Sequence, residues 1–160
     1  MLVEMTIKGL MIDPVTNMPI VILRDTDNQR TLPIWVGPVE ANAIALQIEN
    51  VAPQRPMTHD LLRTVLVELD AALVRIVIAH LREGTFYAYL ELRRGEDTLF
   101  IDARPSDAIA LSLRAKAPVF VDTQVLDQAK SIDVSSDQAD RERLQRWLES
   151  LDPDDLGYKM

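Results

Sequence analysis

The sequence predicts an α+β fold with a mixed, largely antiparallel sheet, built from a duplicated unit of three strands followed by a helix. The first observation is that short apolar runs alternate with turn residues in both halves of the chain. The second is that segments 31–41 and 98–108 share Thr, Leu, Ile, Pro and Ala at matching positions, with Glu40 aligned to Asp107. Because the flanking strand patterns follow in the same order, we interpret the two segments as an internal duplication.

The first unit begins with an alternating apolar and polar pattern from residue 3 towards residue 12, which is typical of a half-buried strand. Further strands are predicted over 20–23 and 31–36, separated by Asp- and Asn-rich turns. Pro33 cannot donate a backbone hydrogen bond, so the third strand is expected at a sheet edge or a bulge. Gly37-Pro38 then opens a helix with Glu40 in its first turn.

A second helix follows a proline-containing loop over 50–57 and extends to about residue 70, with Thr58 as its expected cap. The second unit has a hairpin over 73–92, a strand over 98–101 and a helix for which Ser106 is the expected cap. A last short strand covers 119–121 and is followed by a polar stretch. We divide the chain into a domain over 1–130 and a C-terminal amphipathic helix with an acidic tail over 131–160.

Composition limits the classes of function. The 160 residues include no cysteine, which excludes disulfides, thiol catalysis and cysteine metal sites. The net charge of −8 argues against a broad phosphate-binding surface, so any contact with nucleic acid has to be local. The sequence contains no apolar run of membrane-spanning length, and its charged N-terminus is unlike a signal peptide. A cytoplasmic protein that does not enter membranes is therefore expected.

Polar side chains gather around the predicted helix starts, while phosphate-binding glycine loops, nucleophile elbows and zinc-spaced histidine pairs are missing from the sequence. Carboxylates suit Mg²⁺ or Mn²⁺, arginines suit phosphate, and a histidine can transfer protons near neutral pH, a combination able to hydrolyse a phosphodiester. The same residues could instead only cap helices and close loops. The candidates are Glu40, Arg55, His59, Asp60, Asp102, Arg104, Ser106 and Asp107.

At these residues the chain resembles the bifunctional nuclease domain family of bacteria and plants. The resemblance covers roughly residues 1–130, and three motifs carry it: LPIWVG at 32–37 with Glu40-Ala41, RPMTHDLL at 55–62, and IDARPSDAIAL at 101–111. It implies an α+β fold built from a duplicated unit and a nuclease that acts on both RNA and DNA.

Within this resemblance we hypothesise a role for each candidate residue. A divalent metal, Mg²⁺ or Mn²⁺, would be held by Glu40, Asp102 and Asp107. Substrate would be bound by Arg55, Arg104 and Ser106. Catalysis would involve His59, Asp60, Asp102 and Asp107, with His59 as general base or acid.

The alternative is a non-catalytic oligomeric module that binds an anionic ligand or a protein partner at its helix N-termini. The sequence is compatible with both an enzyme and a binding module. In either case a homo-oligomer is expected, with a dimer as the first expectation, because symmetric pairing would cover exposed strand edges and the apolar stripe around Trp147.

Overall fold

The computed structural model describes residues 1–27, 30–129 and 132–133. Their strands form a single sheet, and their helices connect these strands. The strands are β1 (Leu2–Ile12), β2 (Pro19–Asp25), β3 (Arg30–Trp35), β4 (Ala72–Arg82), β5 (Thr85–Arg94), β6 (Asp97–Ala103), β7 (Val119–Asp122) and β8 (Ile132–Asp133). The helices are α1 (Pro38–Ile48), α2 (Thr58–Glu68), α3 (Pro105–Ala115) and α4 (Thr123–Gln128). The predicted C-terminal helix and acidic tail lie outside the described residues, so the division near residue 130 stays a prediction.

The strands form one sheet in the order β6-β5-β4-β7-β1-β2-β3-β8. Two antiparallel meanders, β1-β2-β3 and β4-β5-β6, are joined by β7, which runs antiparallel to β1 and parallel to β4. The mixed, largely antiparallel α+β fold is therefore confirmed. Each meander leads into a helix that begins at a proline, so both predicted three-strand units exist, and their origin by duplication stays a prediction.

The core lies between one face of this sheet and the helices. In α3 the residues Ala108 to Leu111 are completely buried, and the alanines allow α1 and the sheet to approach closely. Pro33 lies beyond the two β3 residues that pair with β8, which agrees with an edge position. No helix in the described part of the chain is long and apolar enough to cross a membrane.

A buried carboxylate, Asp13, is bonded to the last residue of β3. Asp13 accepts hydrogen bonds from the Val15 N–H, the Thr16 hydroxyl and the Trp35 indole N–H at 2.8–2.9 Å. Burial alone would raise the pKa of Asp13. The hydrogen bonds together lower this pKa by more than burial raises it, so it lies below its usual value. The bond to Trp35 therefore ties the end of β3, two residues before Gly37, to the turn after β1.

Two expected helix caps are wrong. Met57 and Arg104 occupy the N-cap positions of α2 and α3, while Thr58 is the first residue of α2 and Ser106 the second of α3. Proline explains the shift in α3, because Pro105 has the φ of a first helical residue and holds the preceding Arg104 extended.

The predicted polar stretch after residue 121 also contains a helix. α4 is capped by Asp122, whose side chain accepts the Gln124 N–H at 2.9 Å. Val125 and Leu126 are buried against the sheet, so this segment belongs to the core of the domain.

Candidate functional site: a groove at three helix starts

The first turns of α1, α2 and α3 meet at one end of the helical layer. Each helix carries a carboxylate at its third position, namely Glu40, Asp60 and Asp107. A helix start carries partial positive charge and unpaired N–H groups, which stabilise such carboxylates. Because α3 packs against both α1 and α2, the three starts bring side chains from distant parts of the sequence together.

Four of these side chains form a continuous polar network. Arg104 Nη2 donates to Glu40 Oε1 at 2.7 Å, and Arg104 Nε donates to Asp107 Oδ2 at 2.9 Å. The other Asp107 oxygen lies 2.9 Å from Nε2 of His59. Hydrogen bonds to Glu40 and Asp107 raise the pKa of Arg104 above its usual value, so its guanidinium stays charged.

This network forms the polar end of a groove of about 530 Å³. The Arg104 side chain is 45 % exposed, whereas that of His59 is only 12 % exposed. A charged donor therefore faces solvent beside a largely sheltered imidazole. The remaining wall is mainly apolar and includes Leu62, Leu66, Leu90, Leu92, Ile101 and Leu111.

Asp60 lies apart from this groove. Its carboxylate accepts from Arg114 Nε at 2.7 Å and from the Met57 N–H at 2.9 Å. Burial alone would raise the pKa of Asp60, but the Met57 and Arg114 hydrogen bonds lower it below its usual value. Arg114 is 4 % exposed and also donates to the carbonyls of Ala43 and Ala110, so Asp60 anchors α2 to the other two helices.

Asp102 borders the groove from the edge strand β6. Its register partner on β5 is Tyr89, and the Tyr89 ring makes an edge-to-face contact with Phe100 at 5.6 Å between centroids. Side chains alternate along a strand, so Asp102 shares the face of Phe100, opposite to Ile101. Asp102 also lines a second cavity, which lies on the face of the sheet that carries Phe100.

Two further candidates are not in the network. Arg55 is exposed in the loop before α2 and, among the described residues, has no hydrogen bond or ion pair. Ser106 is completely buried, and its Oγ finds no partner in the described part of the protein. The structure thus brings Glu40, His59, Arg104 and Asp107 together and places the other four candidates around them.

Sequence reasoning missed Arg114 and the apolar wall of the groove. Arg114 follows Asp107 and Leu111 at helical spacing of seven and three residues, within a helix rich in alanine. A charged residue on the small, apolar face of such a helix is a signal that it has a buried partner.

Two of the three carboxylates proposed to hold a metal, Glu40 and Asp107, bind Arg104 instead. The Arg104 guanidinium lies between Glu40 and Asp107, and Asp102 projects from the opposite face of its strand. Among the residues that the structure describes, no group of three His, Cys, Asp or Glu side chains could hold a metal ion. The carboxylate set does not fit a metal here, and a metal site stays a prediction from the sequence.

Fold and site together define an α+β domain whose converging helix starts carry an Arg-, His- and carboxylate-containing groove. The chain belongs to the bifunctional nuclease domain family, which it matches over residues 21–133. The predicted family is therefore confirmed.

Two relatives indicate how far the similarity extends. The chain is 38 % identical over 162 residues to the uncharacterized protein Rv1829 of Mycobacterium tuberculosis strain H37Rv, a match that covers 96 % of this chain and 97 % of that protein. It is 25 % identical over 116 residues to Bifunctional nuclease 1 of Oryza sativa subsp. japonica. The second match covers 71 % of this chain and 35 % of the rice protein.

Proposed function

We propose that this protein is a nuclease that hydrolyses phosphodiester bonds in RNA and DNA, and that the groove at the three helix starts is its site. The observation that carries the proposal is the 2.9 Å contact between His59 and Asp107 beside the exposed Arg104. Membership of the bifunctional nuclease domain family and the similarity to the rice nuclease support it.

His59 is suited to proton transfer at the reacting phosphate. An ionised Asp107 can only accept hydrogen bonds, so the neutral imidazole carries its proton on Nε2 and keeps Nδ1 as an acceptor. Nδ1 takes a proton from a water molecule as the water oxygen bonds to phosphorus and the P–O bond to the leaving sugar oxygen breaks. The leaving oxygen takes a proton from solvent, and Asp107 stabilises the imidazolium that results. Asp107 therefore acts as a positioning residue for His59.

Arg104 supplies the positive charge that the phosphate requires. Its guanidinium is held by Glu40 and Asp107 but remains 45 % exposed, so it can also donate to a phosphate oxygen. Because the chain carries a net charge of −8, we expect binding to depend on this local contact. Substrate affinity should be modest and should fall as salt increases.

A divalent metal does not enter these steps, because Arg104 occupies the space between Glu40 and Asp107. The metal site predicted from the sequence, with Mg²⁺ or Mn²⁺ on Glu40, Asp102 and Asp107, would need Arg104 to leave the first and last of these carboxylates and Asp102 to turn to the other face of β6. Loss of cleavage in the presence of a chelator would indicate that a metal is required, and cleavage that persists would indicate that it is not.

The test is cleavage of single-stranded RNA and single-stranded DNA by purified protein, with Mg²⁺, with Mn²⁺ and with a chelator. Wild-type protein should cleave both, and Asp107→Ala should reduce the rate at least roughly tenfold because His59 loses its partner. Asp127→Ala is the matched control, since Asp127 is 70 % exposed on α4, pairs with Arg30 of β3 and is not among the residues that line the groove. It should cleave as wild type does.

Equal cleavage by the wild type and the folded Asp107→Ala variant would place the activity elsewhere or in a contaminant. Absence of cleavage under every condition, together with binding of the oligonucleotide, would favour the alternative of a non-catalytic module for anionic ligands.

A further inference from the structure

A polar pocket of about 320 Å³ lies beside the groove, separated from it by the first turn of α2. His59 and Asp60 are consecutive in this turn, and His59 lines the groove whereas Asp60 lines the pocket. The other walls of the pocket are the last turn of α1, the loop before α2 and the end of α3. The pocket is therefore a neighbour of the candidate site and has its own set of side chains.

Hydrogen-bond donors converge on this pocket. Arg114 lines it with a guanidinium that has five N–H donors, of which three are bonded to Asp60 and to two backbone carbonyls. The other two form no hydrogen bond within the described residues, although the side chain is only 4 % exposed. Arg63 also lines the pocket, and in the same part of the chain its guanidinium makes no hydrogen bond or ion pair. Two arginines thus have donors left for a ligand.

Acceptors in the pocket are already in use. One oxygen of Asp60 accepts from Arg114 and the other accepts from the Met57 N–H. The amides of Gln47 and Gln54 can each donate, and neither has a side-chain hydrogen bond among the residues that the structure describes. A ligand rich in acceptor oxygens complements such a pocket, and arginine binds phosphate oxygens particularly well. The chemistry of the lining therefore suits a phosphate group.

The loop before α2 brings a further positive charge to this place. Arg55 stands between two residues that line the pocket, and it is exposed. Arg55, Arg63 and Arg114 stand here against one lining carboxylate, that of Asp60, in a chain whose net charge is −8. A local excess of positive charge on an acidic protein attracts an anion to that position.

We propose that this pocket binds a second phosphate of the nucleic-acid strand whose other phosphate lies at Arg104 in the groove. The inference rests on the proposed function, because it assigns the pocket to the same substrate. Asp107 in the groove and Arg114 in the pocket are seven residues apart on α3, which is about 10 Å at 1.5 Å per residue. Phosphates of a stacked strand are about 3.4 Å apart along its axis, so about three nucleotides span this distance.

The pocket makes affinity depend on the length of the strand. A dinucleotide without terminal phosphates has one phosphodiester, which occupies the groove alone. An octanucleotide is long enough to occupy the groove and the pocket together. Removing a pocket arginine should therefore weaken the binding of the octanucleotide and leave the dinucleotide unaffected.

The test is fluorescence anisotropy with a labelled single-stranded octanucleotide in phosphorothioate form, which resists cleavage, and with the dinucleotide as unlabelled competitor. Arg63→Gln and Arg55→Gln should each raise the Kd of the octanucleotide roughly five- to tenfold at low salt. Each should also reduce the slope of log K against log salt concentration by about 0.7, the value for one phosphate contact of a single strand. Both should bind the dinucleotide as wild type does.

Arg93→Gln is the matched control, because it removes the same charge from an exposed position on β5. Arg93 is not among the residues that line the groove or the pocket, so this variant should bind both ligands as wild type does. Inorganic phosphate is titrated in parallel, and at the concentration of octanucleotide phosphate that saturates the protein it should not displace the octanucleotide.

Equal octanucleotide affinity of Arg63→Gln and Arg93→Gln would overturn the proposal. An equal loss for dinucleotide and octanucleotide would also overturn it, since Arg63 would then act on the groove, and displacement by inorganic phosphate would make the pocket a site for free phosphate. If wild type binds the octanucleotide as expected but cleaves nothing, the nuclease assignment fails and the pocket stands. Cleavage with unchanged octanucleotide binding in Arg63→Gln has the reverse meaning, and a wild type that binds no octanucleotide overturns both.

Discussion

Replacement of His59 by alanine is expected to lower the rate of RNA and DNA cleavage by about 10²–10⁴-fold, the range typical of a lost general base or acid. The imidazole is the proton-transfer group of the proposed site, and it contacts Asp107, which also accepts a hydrogen bond from Arg104. Because the sheltered imidazole also contacts Asp107, its loss should cost some stability, and a thermal unfolding curve checks that the variant is folded at the assay temperature.

The chain provides a matched control for this experiment, since it contains two histidines. His80 is exposed on β4 and lies outside the polar network. His80→Ala, purified in the same way, should cleave at the wild-type rate. Equal rates for His59→Ala and His80→Ala would show that His59 has no part in catalysis.

Replacement of Asp60 by alanine should destabilise the fold by about 3–5 kcal/mol, the usual cost of leaving a buried charge without its partner. Arg114 would remain 4 % exposed with only backbone carbonyls to accept its protons. The Met57 N–H would also lose its acceptor, which contributes about 1 kcal/mol. Urea unfolding followed by circular dichroism measures the change.

The double variant Asp60→Ala, Arg114→Met provides the control, because it removes both charges. It should recover part of the stability that Asp60→Ala loses. A loss equal to the sum of the losses of the two single variants would contradict the assignment of a coupled pair.

The pKa of Asp60 is lowered in the folded state, so the contribution of the Asp60–Arg114 pair to stability is full above the unfolded pKa of about 3.9. It should disappear as the pH falls through the folded-state pKa.

Much of the fold could be predicted from the sequence because its local signals agree. Alternating strands, turn residues and the two proline-opened helices all indicated the same order of elements. The cap assignments failed at Thr58 and Ser106 because a favourable residue type does not fix which residue starts the helix. In α3 the fixed φ of Pro105 decided that position.

The site was predicted only in part, because sequence neighbours do not share a direction. His59 and Asp60 are adjacent, but neighbouring residues of a helix are about 100° apart, so one reaches the groove and the other reaches Arg114. Strand alternation likewise separates Asp102 from Ile101. The pairing of Arg104 with Glu40 spans 64 residues and depends on how α1 packs against α3, which local patterns do not specify.

The proposed function requires that the groove containing His59 and Arg104 bind the phosphodiester. The most direct measurement is a nuclear magnetic resonance titration of histidine-labelled protein with a single-stranded phosphorothioate oligonucleotide, which resists cleavage. The chain has two histidines, and we expect progressive shifts of the His59 ring signals and constant His80 signals. Shifts confined to His80, or unchanged signals from both rings at saturating oligonucleotide, would contradict it.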